Sequence, residues 1–259
     1  MYKLKQKLLW LVAALLCLII TVSWHLEQSF HQPALATLGT PVSVMGDRPI
    51  EPIPSIPGLD IQKIALGNDL YLDPRLSKDN KVSCASCHAL DKGGTDRRVR
   101  SVGINGKVGN VNAPTILNSS LHFKQFWDGR AESLEAQIDG PIHNDKEMGS
   151  SWPEIIGKLK QSPEYAAQFN KLYGDGITSD NIKNAIATFE RSLYTPNSRF
   201  DQYLNGDKTA LTPDELKGYQ LFQSNGCVSC HQGVLLGGNL YQKFGVFGDY
   251  FKDRGNITE

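Results

Sequence analysis

Two short motifs constrain the fold of this chain more than any other feature of its sequence. "SCASCHAL" spans residues 83–90 and "GCVSCHQG" spans residues 226–233, and in each a Cys-x-x-Cys pair is followed directly by a histidine. That pattern is typical of the attachment site of a c-type haem, in which both cysteines form thioethers with the porphyrin and the histidine ligates the iron. The sequence therefore predicts two covalently bound haem c groups.

The predicted attachment uses four of the five cysteines in the chain. The residues that would hold the two haems, each set ending in the axial histidine, are Cys84, Cys87 and His88, and Cys227, Cys230 and His231. A structural zinc site usually has its two pairs closer together and needs no histidine after each pair. A thioredoxin-like redox pair needs a βαβ setting, which neither motif has. Both alternatives explain the motifs less well than haem attachment does.

The N-terminal 36 residues predict export from the cytoplasm. "MYKLKQK" carries three lysines and no acid, the apolar run at 8–24 follows it, and "ALA" at 34–36 fits a cleavage site. Residues 1–36 are therefore interpreted as either a cleaved signal peptide or a retained membrane anchor. In both cases we expect the remainder in the periplasm, soluble or anchored to the inner membrane.

The charge balance limits the possible partners of the chain, and the proline content predicts one segment without packed structure. The first 36 residues hold three of the 27 basic and one of the 27 acidic side chains, which leaves 24 basic and 26 acidic in the exported part. This balance gives no reason to expect nucleic acid as a partner. Residues 37–58 are rich in proline and are predicted to form an extended tether.

Helical signals dominate the rest of the chain. Ser151 with Glu154, and Thr212 with Glu215, have the spacing of capping boxes. Ser162 precedes a proline at a predicted first helical position, and residues 178–194 repeat apolar side chains at helical spacing. We therefore predict an all-α, cytochrome c-like fold with two haem-binding helical domains rich in loops.

The segment between the motifs carries a family resemblance. "NAPTILNSSLHFKQFWDGRAESLEAQIDGPIHNDKEMG" (112–149) and the lead-in "ALGNDLYLDPRLS" (65–77) resemble the bacterial di-haem cytochrome c peroxidases, and the likeness runs from about residue 60 to the end. It implies a first, peroxidatic haem domain at 59–196 and a second, electron-transfer haem domain at 197–259. The family's second domain is longer, so we expect that this one is incomplete and that the chain is a fragment or a truncated product.

The resemblance also implies roles for single residues. Glu147 matches the acid on the open face of the first haem, Gln137 the amide beside it, and Trp127 the indole between the two haems. Asn112 matches one contributor to a calcium site between the domains. One partly buried carboxylate can take a proton from one peroxide oxygen and return it to the other before the O–O bond breaks.

The function that the resemblance implies is reduction of hydrogen peroxide with electrons from a small cytochrome c or a blue-copper protein. A homodimer is implied as well. Two other functions stay open: a di-haem electron-transfer protein without peroxidase activity, and a di-haem enzyme that oxidises tryptophan in a partner protein.

One loop residue departs from the family pattern. Many members carry a histidine sixteen residues after the axial histidine, where it caps the first haem iron; this chain has Ile104 there. Isoleucine cannot ligate iron. We therefore expect an open first haem, with a cap from His122 as the alternative. His143 is the other histidine that could reach an iron.

Overall fold

The computed structural model describes residues 48–243 together with residues 245, 248, 249 and 252. The predicted signal peptide or anchor lies outside the described residues. No helix in the described part of the chain is long and apolar enough to cross a membrane. All described residues belong to one compact unit.

The secondary structure is helical, as predicted. The α-helices of the described residues are α1 (Ile61–Leu72), α2 (Cys84–Cys87), α3 (Leu134–His143), α4 (Trp152–Lys160), α5 (Pro163–Leu172), α6 (Ser179–Ser192), α7 (Arg199–Leu204) and α8 (Pro213–Ser224). Short 3-10 turns lie at Pro74–Leu76, Leu90–Lys92, Ile104–Gly106, Ser119–Leu121 and Cys227–Ser229. Across residues 48–243, strand-like pairing is limited to three isolated bridges. The all-α fold class is confirmed.

The most extensive helix contact in the described part of the chain is the crossing of α1 and α6. Gly67 lies at this crossing, where a Cβ atom would stand 2.1 Å from the carbonyl oxygen of Ala185. The absent side chain lets the two backbones approach, and Leu66 and Leu70 of α1 are buried there together with Ile182 and other residues of α6. Each such aliphatic side chain contributes about 1.5–3 kcal/mol when fully buried.

A smaller apolar cluster connects this core to the first Cys-x-x-Cys-His motif. Tyr71 and Phe189 are buried with ring centroids 5.1 Å apart, and Ile116 completes the cluster. Cys84 and Ala85 pack against it. The first motif is therefore seated on the α1–α6 core.

The predicted helix starts are confirmed, with one difference in capping. Thr212 and Glu215 form the predicted box at the start of α8. Helix α4 also begins directly after Ser151, but the Ser151 side chain makes no capping hydrogen bond. Its expected partner Glu154 instead pairs with Lys158 at 3.0 Å. The other Glu154 oxygen accepts a hydrogen bond from the Ser150 hydroxyl at 3.4 Å, and the box predicted from spacing does not form.

Residues 48–56 form no helix, yet several of them are packed against the protein rather than free. Ile50 is 1% exposed and pairs with Gly233 in a parallel bridge. Arg48 donates to the carbonyl of Leu204, and the Ile53 amide donates to Asp201 at 2.9 Å. The proline-rich composition did not predict these contacts.

Candidate functional site

The first motif forms a compact turn that gathers its three functional side chains. Cys84 and Cys87 begin and end α2, and the backbone amide of His88 donates to the Cys84 carbonyl at 2.9 Å. Residues three and four apart lie on the same face of a helical turn. The spacing therefore places both thiols and the imidazole on one side of the backbone.

The His88 ring is oriented by two backbone carbonyls. Its Nδ1 atom lies 3.2 Å from the Gly94 oxygen and 3.0 Å from the Pro114 oxygen. Carbonyls only accept hydrogen bonds, so Nδ1 carries the proton and Nε2 keeps its lone pair. Burial lowers the pKa of His88, which favours the neutral ring. A neutral imidazole with one nitrogen fixed in this way is the form that ligates metals.

The second motif repeats this arrangement. The His231 amide donates to the Cys227 carbonyl at 2.9 Å, and His231 Nδ1 lies 3.1 Å from the Leu236 oxygen. The two motifs differ in burial: Cys84 and Cys87 are half-buried, whereas Cys227 and His231 are exposed. In both motifs the ring nitrogen left for a ligand is Nε2.

The two thiols of the first motif fit thioether attachment better than zinc binding or dithiol redox chemistry. All four are free, with no disulfide between them. Burial raises the pKa of Cys84 to about 12 and also raises that of Cys87. Zinc ligands and redox-active pairs need thiolates, which a lowered pKa favours. The described residues also contain no cluster of three or more side chains suited to a metal ion.

Glu147 lies beside the first motif. Burial raises the pKa of its carboxyl group, while the hydrogen bond from Asn144 and the charge of Arg130 act against this. Asn144 Nδ2 donates to Glu147 Oε1 at 2.7 Å. The negative charge of Glu147 also raises the pKa of the Cys87 thiol, so the two groups are within electrostatic reach. The carboxyl group is thus half-buried, oriented by Asn144 and within electrostatic reach of Cys87.

The loop that carries Ile104 is fastened to the Glu147 loop. The Ile104 amide donates to the Glu147 carbonyl at 2.9 Å. A Cβ atom at Gly103 would stand 2.1 Å from the Lys146 oxygen, and one at Gly149 would stand 2.4 Å from Ile104 Cδ1. Ile104 is 4% exposed. The two loops therefore pack backbone to backbone.

The other predicted site residues lie on separate elements. Gln137 is half-buried on α3, Trp127 is 53% exposed in the loop closed by the Gln125–Ala131 bridge, and Asn112 is half-buried in the preceding loop. Among the described hydrogen bonds and ion pairs, none joins these three side chains to Glu147. The structure thus brings Glu147 within electrostatic reach of the first motif, and the roles assigned to all four residues stay predictions.

The two remaining described histidines lie in different places. His143 ends α3, and its Nδ1 lies 3.3 Å from the Ser150 oxygen. His122 lies against Gly238, in the turn that follows the second motif. His122, the alternative cap for the first haem, therefore lies beside the second motif.

Several residues that serve the site were not predicted. Tyr71 donates to the His88 carbonyl, Asn144 holds Glu147, and the carbonyls of Gly94 and Pro114 orient His88. Of these residues, Gly94 could have been noticed in the sequence, because a glycine shortly after the motif indicates a turn. Its φ of 76° lies in the left-handed region that favours glycine. A hydrogen bond to a backbone carbonyl cannot be predicted from residue type, because every residue has such a carbonyl.

The helical fold and the two Cys-x-x-Cys-His motifs define the class of cytochrome c-like proteins. The sequence model described as di-haem cytochrome c peroxidase matches residues 61–209, and the chain belongs to this family. The cytochrome c peroxidase Ccp of Escherichia coli (strain K12) is 50% identical over 213 residues, which are 82% of this chain and 45% of that protein. The cytochrome c551 peroxidase of Nitrosomonas europaea is 50% identical over 206 residues, or 79% of this chain and 61% of that protein.

A second group of relatives has a different name. The methylamine utilization protein MauG of Methylorubrum extorquens is 38% identical over 183 residues, or 70% of this chain and 52% of that protein. A crystal structure titled as a MauG-like protein associated with microbial copper homeostasis superposes with a TM-score of 0.64 at 28% identity, covering 79% of this chain and 63% of that chain. This chain spans about half the length of the curated relatives it matches.

Proposed function

We propose that this chain acts as a di-haem cytochrome c peroxidase, which reduces hydrogen peroxide to water with electrons from a small cytochrome c or cupredoxin. The observation that carries the proposal is Glu147, a half-buried carboxyl group with a raised pKa beside the first motif. The 50% identity to two peroxidases supports the same reading. Periplasmic location, an N-terminal signal or anchor and a homodimer are parts of this proposal.

The proposed cofactors are two haem c groups. Cys84 and Cys87 would hold the first covalently with His88 as axial ligand, and Cys227, Cys230 and His231 would hold the second. When bound, the haem irons supply the site where peroxide is reduced and the electrons that this requires. The fit rests on the free thiols and on two imidazoles that each present Nε2.

Glu147 is the proposed acid and base. A carboxylate can accept the proton of the near peroxide oxygen and donate it to the far one, and it does both best when its pKa is close to the working pH. Burial raises the pKa of Glu147 in that direction. The Asn144 amide fixes one of its oxygens, which reduces the reorganisation needed during proton transfer.

Three further roles complete the proposal. Gln137 would orient the peroxide by hydrogen bonding, and Trp127 would lie between the two haems on the electron route. Asn112 would contribute to a calcium site. Each of these roles is carried by the family likeness of its motif.

A Glu147→Gln variant tests the catalytic assignment. Glutamine keeps the shape and the contact with Asn144 but removes the titrating group, so peroxide cleavage measured by rapid mixing should slow about 100-fold or more. Haem content and cyanide binding at the first haem should be unchanged. Glu164→Gln, at an exposed carboxylate in the first turn of α5, is the matched control and should react at the wild-type rate.

Two outcomes would contradict the proposal in different ways. Wild-type turnover in Glu147→Gln would mean that another group transfers the proton, and His143 is the next candidate. A wild-type protein that holds both haems but shows no peroxide-dependent oxidation of reduced cytochrome c would favour an electron-transfer protein or the tryptophan-oxidising alternative.

A further inference from the structure

The carbonyl that orients the second axial histidine lies in an unusual turn. His231 Nδ1 donates to Leu236, whose φ of 56° lies in the left-handed region, and Gly237 and Gly238 follow with φ of 137° and 68°. A bulky residue at positive φ is strained and persists only where its surroundings hold it. The Gly237 amide closes the turn on the Gln232 carbonyl at 2.8 Å.

His122 supplies the contact that holds this turn from outside. A Cβ atom at Gly238 would stand 2.7 Å from His122 Nδ1 and 2.9 Å from its Cε1, so the imidazole lies directly on the Gly238 backbone. Gly238 is two residues from the carbonyl that accepts the His231 hydrogen bond. The Gly238 backbone also partly offsets the lowering of the His122 pKa by burial.

The contact comes from the loop between the two motifs. His122 follows the 3-10 turn Ser119–Leu121, five residues before Trp127. Next to it, the rings of Phe123 and Tyr241 lie 5.3 Å apart, and the Tyr241 hydroxyl donates to the Gly129 carbonyl at 3.3 Å. The segment after the second motif is thus docked on this loop at His122 and at two residues that follow it, Phe123 and Gly129.

We propose that His122 is a positioning residue for the second haem: by packing on Gly238 it holds the Leu236 carbonyl against His231 Nδ1 and so sets the electron donation of that axial ligand. This inference rests on the proposed attachment of a haem at the second motif. The loop between the two motifs would then influence the reduction potential of the second haem. This role is separate from the electron route proposed for Trp127.

The expected consequence is a change in reduction potential. A hydrogen bond from Nδ1 makes the imidazole a stronger donor, which stabilises ferric over ferrous iron. When His122 is replaced by alanine, the turn loosens and this hydrogen bond weakens. The second haem should then be easier to reduce. Loss of an outer-shell partner typically changes metal affinity or activity by about tenfold or more, and a change of about tenfold in the reduction equilibrium constant corresponds to about 59 mV for one electron.

Spectroelectrochemical titration of the haem-loaded full chain measures this shift. His122→Ala should raise the potential of the second haem and leave that of the first unchanged. His122→Asn keeps a side-chain donor for the Gly238 backbone and should restore part of the wild-type value. His143→Ala removes a histidine that contacts the Ser150 carbonyl instead, and should leave the second haem at its wild-type potential.

Gly238→Ala provides an independent arm. The added Cβ would meet the imidazole, so the potential should shift in the same direction as in His122→Ala. In the His122→Ala background the clash is gone and only the strain of alanine at a φ of 68° remains, so the same substitution should have a smaller effect. Such non-additivity is expected of two residues that act through one contact. If the His122→Ala variant does not fold or does not acquire its haems, the His122→Asn and Gly238→Ala variants test the proposal in its place.

The outcomes separate this inference from the proposed function. Haem stoichiometry tests attachment: a chain with only one covalent haem would refute the second haem site itself. With two haems bound, an unchanged second potential in His122→Ala, equal shifts of both haems, or additive effects in the double variant would each refute the positioning role. Peroxidase activity is not needed for any of these readouts.

Discussion

Ile104 stands at the loop position where the family pattern places a histidine cap. Its side chain is buried, and its amide is bonded to the Glu147 carbonyl. The rest of the loop is fastened too: Lys107 pairs with Asp145 at 2.7 Å, and Lys146 donates to Asn110 at 2.9 Å. A loop held at so many points does not bring another ligand to the iron, so the first haem should be open at rest.

Electron paramagnetic resonance of the fully oxidised, haem-loaded chain tests this expectation. The first haem should give a high-spin ferric signal, and peroxide should react without prior reduction of the second haem. His122→Ala serves as a control, because removing a residue that lies on Gly238 should not alter the first haem's spin state. A wholly low-spin spectrum with two nitrogen ligands on the first iron would contradict the open site.

At the scale of elements, the α1–α6 crossing depends on the absence of one side chain. In an ordinary helix interior, Gly→Ala stabilises by about 1 kcal/mol through propensity. At Gly67 the new Cβ would meet the Ala185 carbonyl at 2.1 Å, and backbone cannot rotate away as a side chain can. Gly67→Ala should therefore destabilise the protein by about 1–3 kcal/mol.

Urea unfolding followed by far-ultraviolet circular dichroism measures this change. Gly157→Ala in α4 is the matched control, since nothing lies within 4 Å of the Cβ that it would add. That variant should be as stable as the wild type or more so. Equal effects of the two substitutions would mean that α1 and α6 do not cross at this distance.

The same crossing illustrates what sequence alone could and could not predict. The starts of α5, α6 and α8 follow from Ser162, Thr178 and Thr212, because a capping side chain acts within its own turn. Helix α1 was not predicted, since Gly67 and its polar neighbours weaken the local helical signal and α6 supplies the missing stabilisation. The position of Glu147 followed from a motif, whereas its contact with Asn144 depends on how the loop folds.

At the scale of the whole molecule, packing is unevenly distributed. Both apolar clusters of the described residues lie between Leu66 and Phe189. Helix α8, which leads into the second motif, buries none of its residues. Segments with few buried contacts open locally at lower free energy than a packed core does. Contacts from elsewhere in the chain therefore matter more for the second motif than for the first.

Residues 48–53 supply such contacts. The amide of Gly233, two residues after His231, donates to the Pro49 carbonyl at 2.8 Å, and the Ile50 side chain is buried beside this pairing. The hydrogen bonds of Arg48 and Ile53 go to α7 and its C-terminal end. The extended segment thus stabilises α7 and the second motif rather than the α1–α6 core.

Ile50→Ala should accordingly loosen one part of the molecule. Replacing a fully buried isoleucine with alanine lowers the free energy of unfolding by about 2–5 kcal/mol. We expect this loss mainly in the local stability of residues 197–243. Hydrogen exchange followed by mass spectrometry should show faster exchange in peptides of α7, α8 and the second motif, with α1 and α6 unchanged. Ile61→Ala, at a side chain that is 75% exposed, is the matched control and should change neither region. A uniform increase across all helices would instead mean that Ile50 stabilises the molecule as a single cooperative unit, because only then would its loss be felt equally in the distant core.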